Sequence, residues 1–273
     1  MLIQGRPSNA ADELGATSRP LVFQRQPIGV GRVVEVTRSL RCDWTEPQPR
    51  GTSDDFHRVL DSDVREKVLA TNGSAVTGLS VEYRKWRETR TCNAIAYPGD
   101  ALDGRRYLIA SATRVVHATS MVGTPVDDGV RSAVEADYAA LGSDEPAFGL
   151  RLRPLVVGDA WPSLAAQVGV LLGKHAGGPG AYAASYRLVT DCTLARHVAS
   201  PSGDGGEFAV RIQPSPDPTL QDHLWVEGRL VLNAQALPLA FTCDGRFDRR
   251  VFTRAGEVVS DGRFALTVKW TYA

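Results

Sequence analysis

Residues 264–272 read FALTVKWTY. Phe264, Leu266, Val268, Trp270 and Tyr272 share one parity, and Ala265, Thr267, Lys269 and Thr271 share the other. Successive side chains of a strand point to opposite faces, so this alternation predicts a strand with one buried and one wet face. The same rule runs upstream. Leu237, Leu239, Phe241, Cys243 and Phe247 predict a strand entered at Pro238, a residue suited to a strand start or an edge. Val226, Leu230 and Leu232 predict another, and so do Phe208, Val210 and Ile212. Tyr186, Leu188, Cys192 and Leu194 predict the one before, with SPSGDGG at 200–206 as the loop between.

The N-terminal part has the same character. Within 29–44, Val34, Val36, Leu40, Cys42 and Trp44 share a parity that Arg38 breaks once. TEPQPRGTSDD at 45–55 reads as a loop; 56–71 fits a strand or a short helix, and the strand is favoured because NGS at 72–74 then makes a hairpin turn. A long strand over 75–95 carries Leu79, Val81 and Tyr83 on one face; PGDALDG at 98–104 turns, and short strands cover 107–109 and 113–119.

The pattern changes at 126. In VDDGVRSAVEADYAALG, Val130, Ala133, Val134, Tyr138 and Leu141 recur near helical spacing, Asp127 and Asp128 suit the positive N-terminal end, and Gly142 suits the stop. In AWPSLAAQVGVLLGKH, Leu164, Val168, Leu171 and Leu172 form one helical face, with Pro162 in the first turn. GGPG at 177–180 ends this connector. The expected fold is mainly β (α+β): two antiparallel β-meander halves, as curved sheets or half-barrels, joined by helices. The divisions are a flexible leader at 1–24, a β half at 25–125, a connector at 126–176 and a second β half at 177–273.

Composition narrows the function classes. Apolar residues are 43% and charged residues 23% of 273, enough apolar surface for a core. Lys+Arg and Asp+Glu are 31 each, so there is no basic excess for nucleic acid. Arg84, Lys85, Arg87 and Arg90 alternate with Glu82 and Glu88 and read as a solvated strand face. No run of apolar residues is long enough for a membrane-spanning helix. The first 20 residues lack the basic start and apolar stretch of a signal peptide, which fits a cytoplasmic protein or a chain starting after a removed signal.

The four cysteines fall into pairs: Cys42 and Cys92 are 50 residues apart, Cys192 and Cys243 are 51 apart. Two readings stand. One is a disulfide in each half, each closing a loop worth about 4 kcal/mol in the chain-entropy model. The other is four free thiols, since cysteine is among the most buried residue types. His57, His117, His175, His197 and His223 show no metal-ligand spacing, and neither HExxH nor CxxC occurs. GVLLGKH at 169–175 is too short for a phosphate loop, puts His175 where a Ser or Thr is needed, and continues a helical pattern. No G-x-S-x-G elbow occurs. Asp159 is expected to cap the helix that Pro162 begins, with Trp161 packed over the connector. No catalytic residue, metal or cofactor is expected.

RRYLIA at 105–110, VRSAVEADYAALG at 130–142, LRPLVVGDAW at 152–161 and the final strands resemble uncharacterised bacterial β-rich envelope proteins, several of them lipoproteins. Tyr107, Gly142, Val157, Gly158, Asp159 and Trp161 carry the resemblance, which spans about 100–273. It implies a β-rich fold and a periplasmic or secreted location, and no catalytic residues. The functional expectation is a non-enzymatic envelope or secreted protein holding an apolar small molecule or a protein partner on a concave sheet face. The rivals are an enzyme whose site is assembled from distant residues and a structural subunit of a larger assembly.

Overall fold

The computed structural model describes residues 19–24, 26, 28–48, 52–73, 75–98, 102–112, 115–121, 127–139, 141, 152–176, 188–201, 203–214, 222–253 and 256–273. Eleven strands form one antiparallel sheet. They are β1 (Val33–Pro47), β2 (Ser53–Asn72), β3 (Ala75–Cys92), β4 (Ile95–Pro98), β5 (Arg106–Ala112), β6 (Val115–Ser120), β7 (Leu188–Ser200), β8 (Gly203–Pro214), β9 (Asp222–Leu232), β10 (Pro238–Thr253) and β11 (Gly256–Tyr272). Among the described residues two helices, α1 (Asp128–Asp137) and α2 (Pro162–Ala176), lie between β6 and β7 in the chain. The spatial order is β6-β5-β3-β2-β1-β11-β10-β9-β8-β7, with β4 on β3. The sheet is open and ends at β6 and β7.

Each half is a meander, and the seam between them is the pairing of β1 with β11, from Val34↔Tyr272 to Thr45↔Asp261. The opening stretch, 264–272, therefore sits at the centre of the sheet. Its apolar parity faces the apolar parity of β1: Trp270 opposite Val36, Leu266 opposite Leu40, Phe264 opposite Cys42. All six are buried. Each large apolar side chain so placed contributes roughly 1.5–3 kcal/mol, so this seam binds the halves into one core. Two glycines make room for rings here. Phe264 lies over Gly245 of β10 and Phe247 lies over Gly262 of β11, so closely that a Cβ at either glycine would overlap the ring.

Both sheet edges are covered. On β6, the Ala118 N–H donates to Glu135 Oε1 of α1 at 3.1 Å. On β7, Leu194 N–H donates to Asp159 O at 3.0 Å, while Gly158 and Trp161 N–H donate to the Leu194 and Cys192 carbonyls. The Val-Gly-Asp-x-Trp element is thus an edge cover: Gly158 takes φ +95° at the turn, and Trp161 stacks on Phe23 at 5.1 Å and lies tilted against Phe208 at 5.5 Å.

Several expectations are corrected. The loops read at 45–55 and 200–206 are mostly strand: β1 runs to Pro47, β2 begins at Ser53 and β8 begins at Gly203. Polar residues pair well on strand ends with both faces wet, so polarity there did not mark a loop. Asp159 does not cap α2; its Oδ2 accepts from Val156 N–H at 3.1 Å, closing the turn before the helix. Leu21 and Phe23, in the stretch read as a leader, are buried, and Leu21 exchanges two backbone bonds with Leu155. Gly142 lies outside the described residues.

The disulfide reading is overturned: all four cysteines are free. Strand spacing is the reason. Cys42 on β1 is opposite Arg58 of β2, and Cys92 on β3 is opposite Phe56 of that same strand, so a whole strand separates the pair. Cys192, Val210, Gly228 and Cys243 form one row across β7, β8, β9 and β10, which leaves the cysteines three strand spacings apart. At roughly 4.8 Å per strand, both separations exceed the ~7 Å limit for bridging. Burial pushes the thiols of Cys42, Cys192 and Cys243 up to about 12.

Candidate functional site

The site lies where the helices meet the inner face of the sheet. Asp127 begins α1 by accepting from the Gly129 N–H at 2.8 Å and the Val130 N–H at 3.4 Å. The helix ends at Asp137 and Tyr138, which turn toward the sheet. In α2 the buried stripe is Leu164, Ala165, Val168, Leu172, His175 and Ala176, the helical spacing of one face. Lys174 in its last turn also suits the negative end of the helix. Both helices thus end over the middle of β1, β2 and β3.

A small polar chamber forms between them. Arg38 projects from the apolar parity of β1, with 8% of its side chain exposed. Its guanidinium lies 5.1 Å from the Trp86 ring, donates to Ser62 Oγ at 3.3 Å and stands 3.9 Å from the Asp137 carboxylate. Glu66 accepts the Tyr138 hydroxyl at 2.8 Å and faces the Lys174 ammonium at 3.6 Å. Lys174 also stands 4.9 Å from the Tyr138 ring. Trp86 reaches this face through a bulge: Val64 pairs with Tyr83 and Asp63 with Lys85, so Arg84 is extra and the parity of β3 flips.

Charges are displaced here. Desolvation pushes the Asp137 carboxyl up against the pull of Arg38 and Lys174. Desolvation pushes the His175 imidazole well below its usual range, and Lys174 and Arg38 add to this. Burial also raises the Tyr138 and Tyr83 hydroxyls. Among the described residues five buried side-chain polar atoms lack a partner, and three of them, Tyr83 Oη, Trp86 Nε1 and His175 Nε2, belong to residues at or beside the chamber. The space enclosed is about 20 Å³, room for one water-sized group.

Beside it is an apolar groove of about 180 Å³. Val34, Leu164, Leu171, Leu230, Trp270 and Tyr272 form its walls. Glu66 and Lys174 line both groove and chamber. His175 stands edge-on to Trp270, with ring centroids 5.4 Å apart. The groove is therefore a pocket with a greasy body and a polar end. A larger basin of about 610 Å³ lies on the polar face of β7–β10. It is open, and charges there pair with each other, as Arg211 does with Glu227 at 3.5 Å. The groove is the better ligand site because its walls are apolar and it adjoins the chamber, where Tyr83 Oη and His175 Nε2 are buried and unpaired.

None of the chamber residues was singled out as a site in the sequence, although Arg38 on an apolar parity was a visible signal. Acids and a histidine with displaced charges, drawn from distant parts of the sequence, meet in this space of about 20 Å³. Among the described residues, no group of His, Cys, Asp and Glu is placed to hold a metal ion, and no helix is long and apolar enough to cross a membrane.

No family model matches the chain, and no curated protein does. Three solved structures share weak likeness. A structure of lipid–protein interactions in lipovitellin is 9% identical with a TM-score of 0.39, over 92% of this chain and 26% of that one. The chain thus spans about a quarter of the lipovitellin chain. The translocator domain of an autotransporter from Neisseria meningitidis is 9% identical, TM-score 0.22, over 89% of each chain. A β-barrel-like protein of a domain of unknown function from Brucella abortus is 8% identical, TM-score 0.19, over 90% of this chain and 99% of that one.

Proposed function

We propose that this chain is a non-enzymatic β protein that binds a small apolar molecule in the groove between α2 and the ends of β1, β9 and β11. The observation that carries this reading is the groove itself: about 180 Å³, walled by Leu164, Leu171, Leu230, Trp270 and Tyr272. An apolar cavity of about 150 Å³ is enough for benzene. Sites for drug-sized ligands run from about 300 Å³, so a long acyl chain does not fit. Burying six carbons at about 0.8 kcal/mol each gives about 5 kcal/mol, a Kd on the order of 0.2 mM before association costs.

Calorimetric titration with benzene tests the reading. The expected Kd is between about 0.2 mM and a few millimolar. Leu171→Trp, which fills the groove from a partly exposed position on α2, is expected to abolish binding while leaving the thermal midpoint within a few degrees. Undiminished binding by that variant, or no heat in the parent protein, contradicts the reading.

One observation favours a second reading, an enzyme: Asp137 and His175 both line the chamber beside the groove and are displaced there, the carboxyl up and the imidazole down. Turnover of a short-chain ester that disappears in His175→Phe would move the chain to that reading.

A further inference from the structure

We infer that the groove selects a neutral, hydroxyl-bearing ligand, a phenol or short-chain alcohol, whose hydroxyl enters the chamber between Tyr83 and His175. The inference rests on the groove reading and adds the head group. Glu66 and Lys174 line both spaces, so the two are neighbours across that ion pair. The Trp270 ring lines the groove and stands edge-on to His175, 5.4 Å between centroids. A ligand lying against Trp270 therefore has its end beside the imidazole.

The unpaired atoms specify the head. Tyr83 Oη and His175 Nε2 line the chamber or project from its lining residues, are buried and have no partner. A tyrosine hydroxyl donates and accepts, and a neutral imidazole nitrogen does one or the other according to its tautomer. A ligand hydroxyl does both, so it satisfies the pair in either tautomer. The volume agrees, since about 20 Å³ is one water-sized group.

Charge excludes the alternatives. The chamber already holds two cations, Arg38 and Lys174, and two carboxylates, Glu66 and Asp137, in contact across it. A carboxylate or ammonium head would bring a fifth charge into a desolvated space with no free partner of opposite sign. A hydroxyl brings none.

The test compares benzene, phenol, benzoate and benzylammonium by calorimetry at pH 7.5, on the whole chain and on Tyr83→Phe, His175→Phe and Leu171→Trp. Phenol is expected to bind five- to tenfold tighter than benzene, the effect of one net hydrogen bond, with both ions weaker than benzene. Tyr83→Phe, which deletes only the hydroxyl, is expected to erase the phenol advantage and leave benzene unchanged. Phenol binding no tighter than benzene, an advantage that survives both Tyr83→Phe and His175→Phe, or benzoate binding best would overturn the head-group inference while the groove stands. Failure of both benzene and phenol to bind, or equal binding of both to Leu171→Trp, would remove the groove reading as well.

Discussion

His175→Phe separates two consequences of burying an imidazole. The ring is 4% exposed, and desolvation, with Lys174 and Arg38 adding to it, keeps it neutral well below its ordinary range. In the unfolded chain it titrates near 6.5. Below that value the unfolded state takes up a proton that the folded state refuses, so stability falls as pH falls. For a single such group the loss is about 1.4 kcal/mol at pH 5.5 and about 2 kcal/mol at pH 5.0. Asp137 works in the opposite sense: its folded carboxyl is raised, so it binds a proton first and gains stability toward acid. The difference between parent and variant isolates the histidine. Phenylalanine keeps the edge-on contact with Trp270 and removes the unpaired Nε2, whose burial costs about 1–3 kcal/mol. Urea unfolding at pH 7.5, 6.5, 5.5 and 5.0 is the assay. The variant is expected to be at least as stable as the parent at pH 7.5, with its advantage growing by about 2 kcal/mol at pH 5.0. Parallel stability curves would refute the reasoning, because they would mean that the folded ring takes up the proton freely.

Three further outcomes are expected. Glu88 has a fully buried side chain that accepts from Arg58 and Arg90 at 2.7 Å each; burial would raise its carboxyl, but the two guanidinium groups overcome this and hold it below the usual range. Glu88→Ala should cost about 2 kcal/mol in urea unfolding at pH 7, the 3–5 of a broken buried pair reduced because both arginines are partly solvated; a change under about 0.5 kcal/mol contradicts this. Gly245→Ala should lower stability by about 1–3 kcal/mol through overlap with Phe264, and a neutral result would show that the ring can move away. Thiol titration should find four reactive groups in denaturant and one fast group, Cys92, in the native protein; two thiols or none in denaturant would restore a disulfide.

Local pattern made some of this legible and pairing made the rest obscure. The strand at 264–272, the β2–β3 hairpin and both helices are visible because each is encoded within a few residues. The β1–β11 seam joins residues more than two hundred positions apart, and no local signal distinguishes one sheet from two half-barrels. The bulge at Arg84 breaks the parity of β3, so Trp86 reads as outward-facing in the sequence and is buried in the structure. Cys192 and Cys243 are both buried, as the apolar parity of their strands suggested, but parity says nothing about how many strands lie between them. Arg38 is the instructive residue. Its breach of an otherwise apolar strand face was plain, and it marks the chamber, yet its partners Ser62 and Asp137 come from β2 and α1 and are brought to it only by the fold.

The central claim is that the groove between α2 and the sheet is an apolar space open to a small molecule. A crystal structure under pressurised xenon tests it most directly, since xenon enters apolar cavities of this size without needing a polar contact. The account predicts xenon density between Leu171, Leu230 and Trp270, lost in Leu171→Trp. A groove filled by the chain's own side chains, with no xenon between those residues, would contradict it.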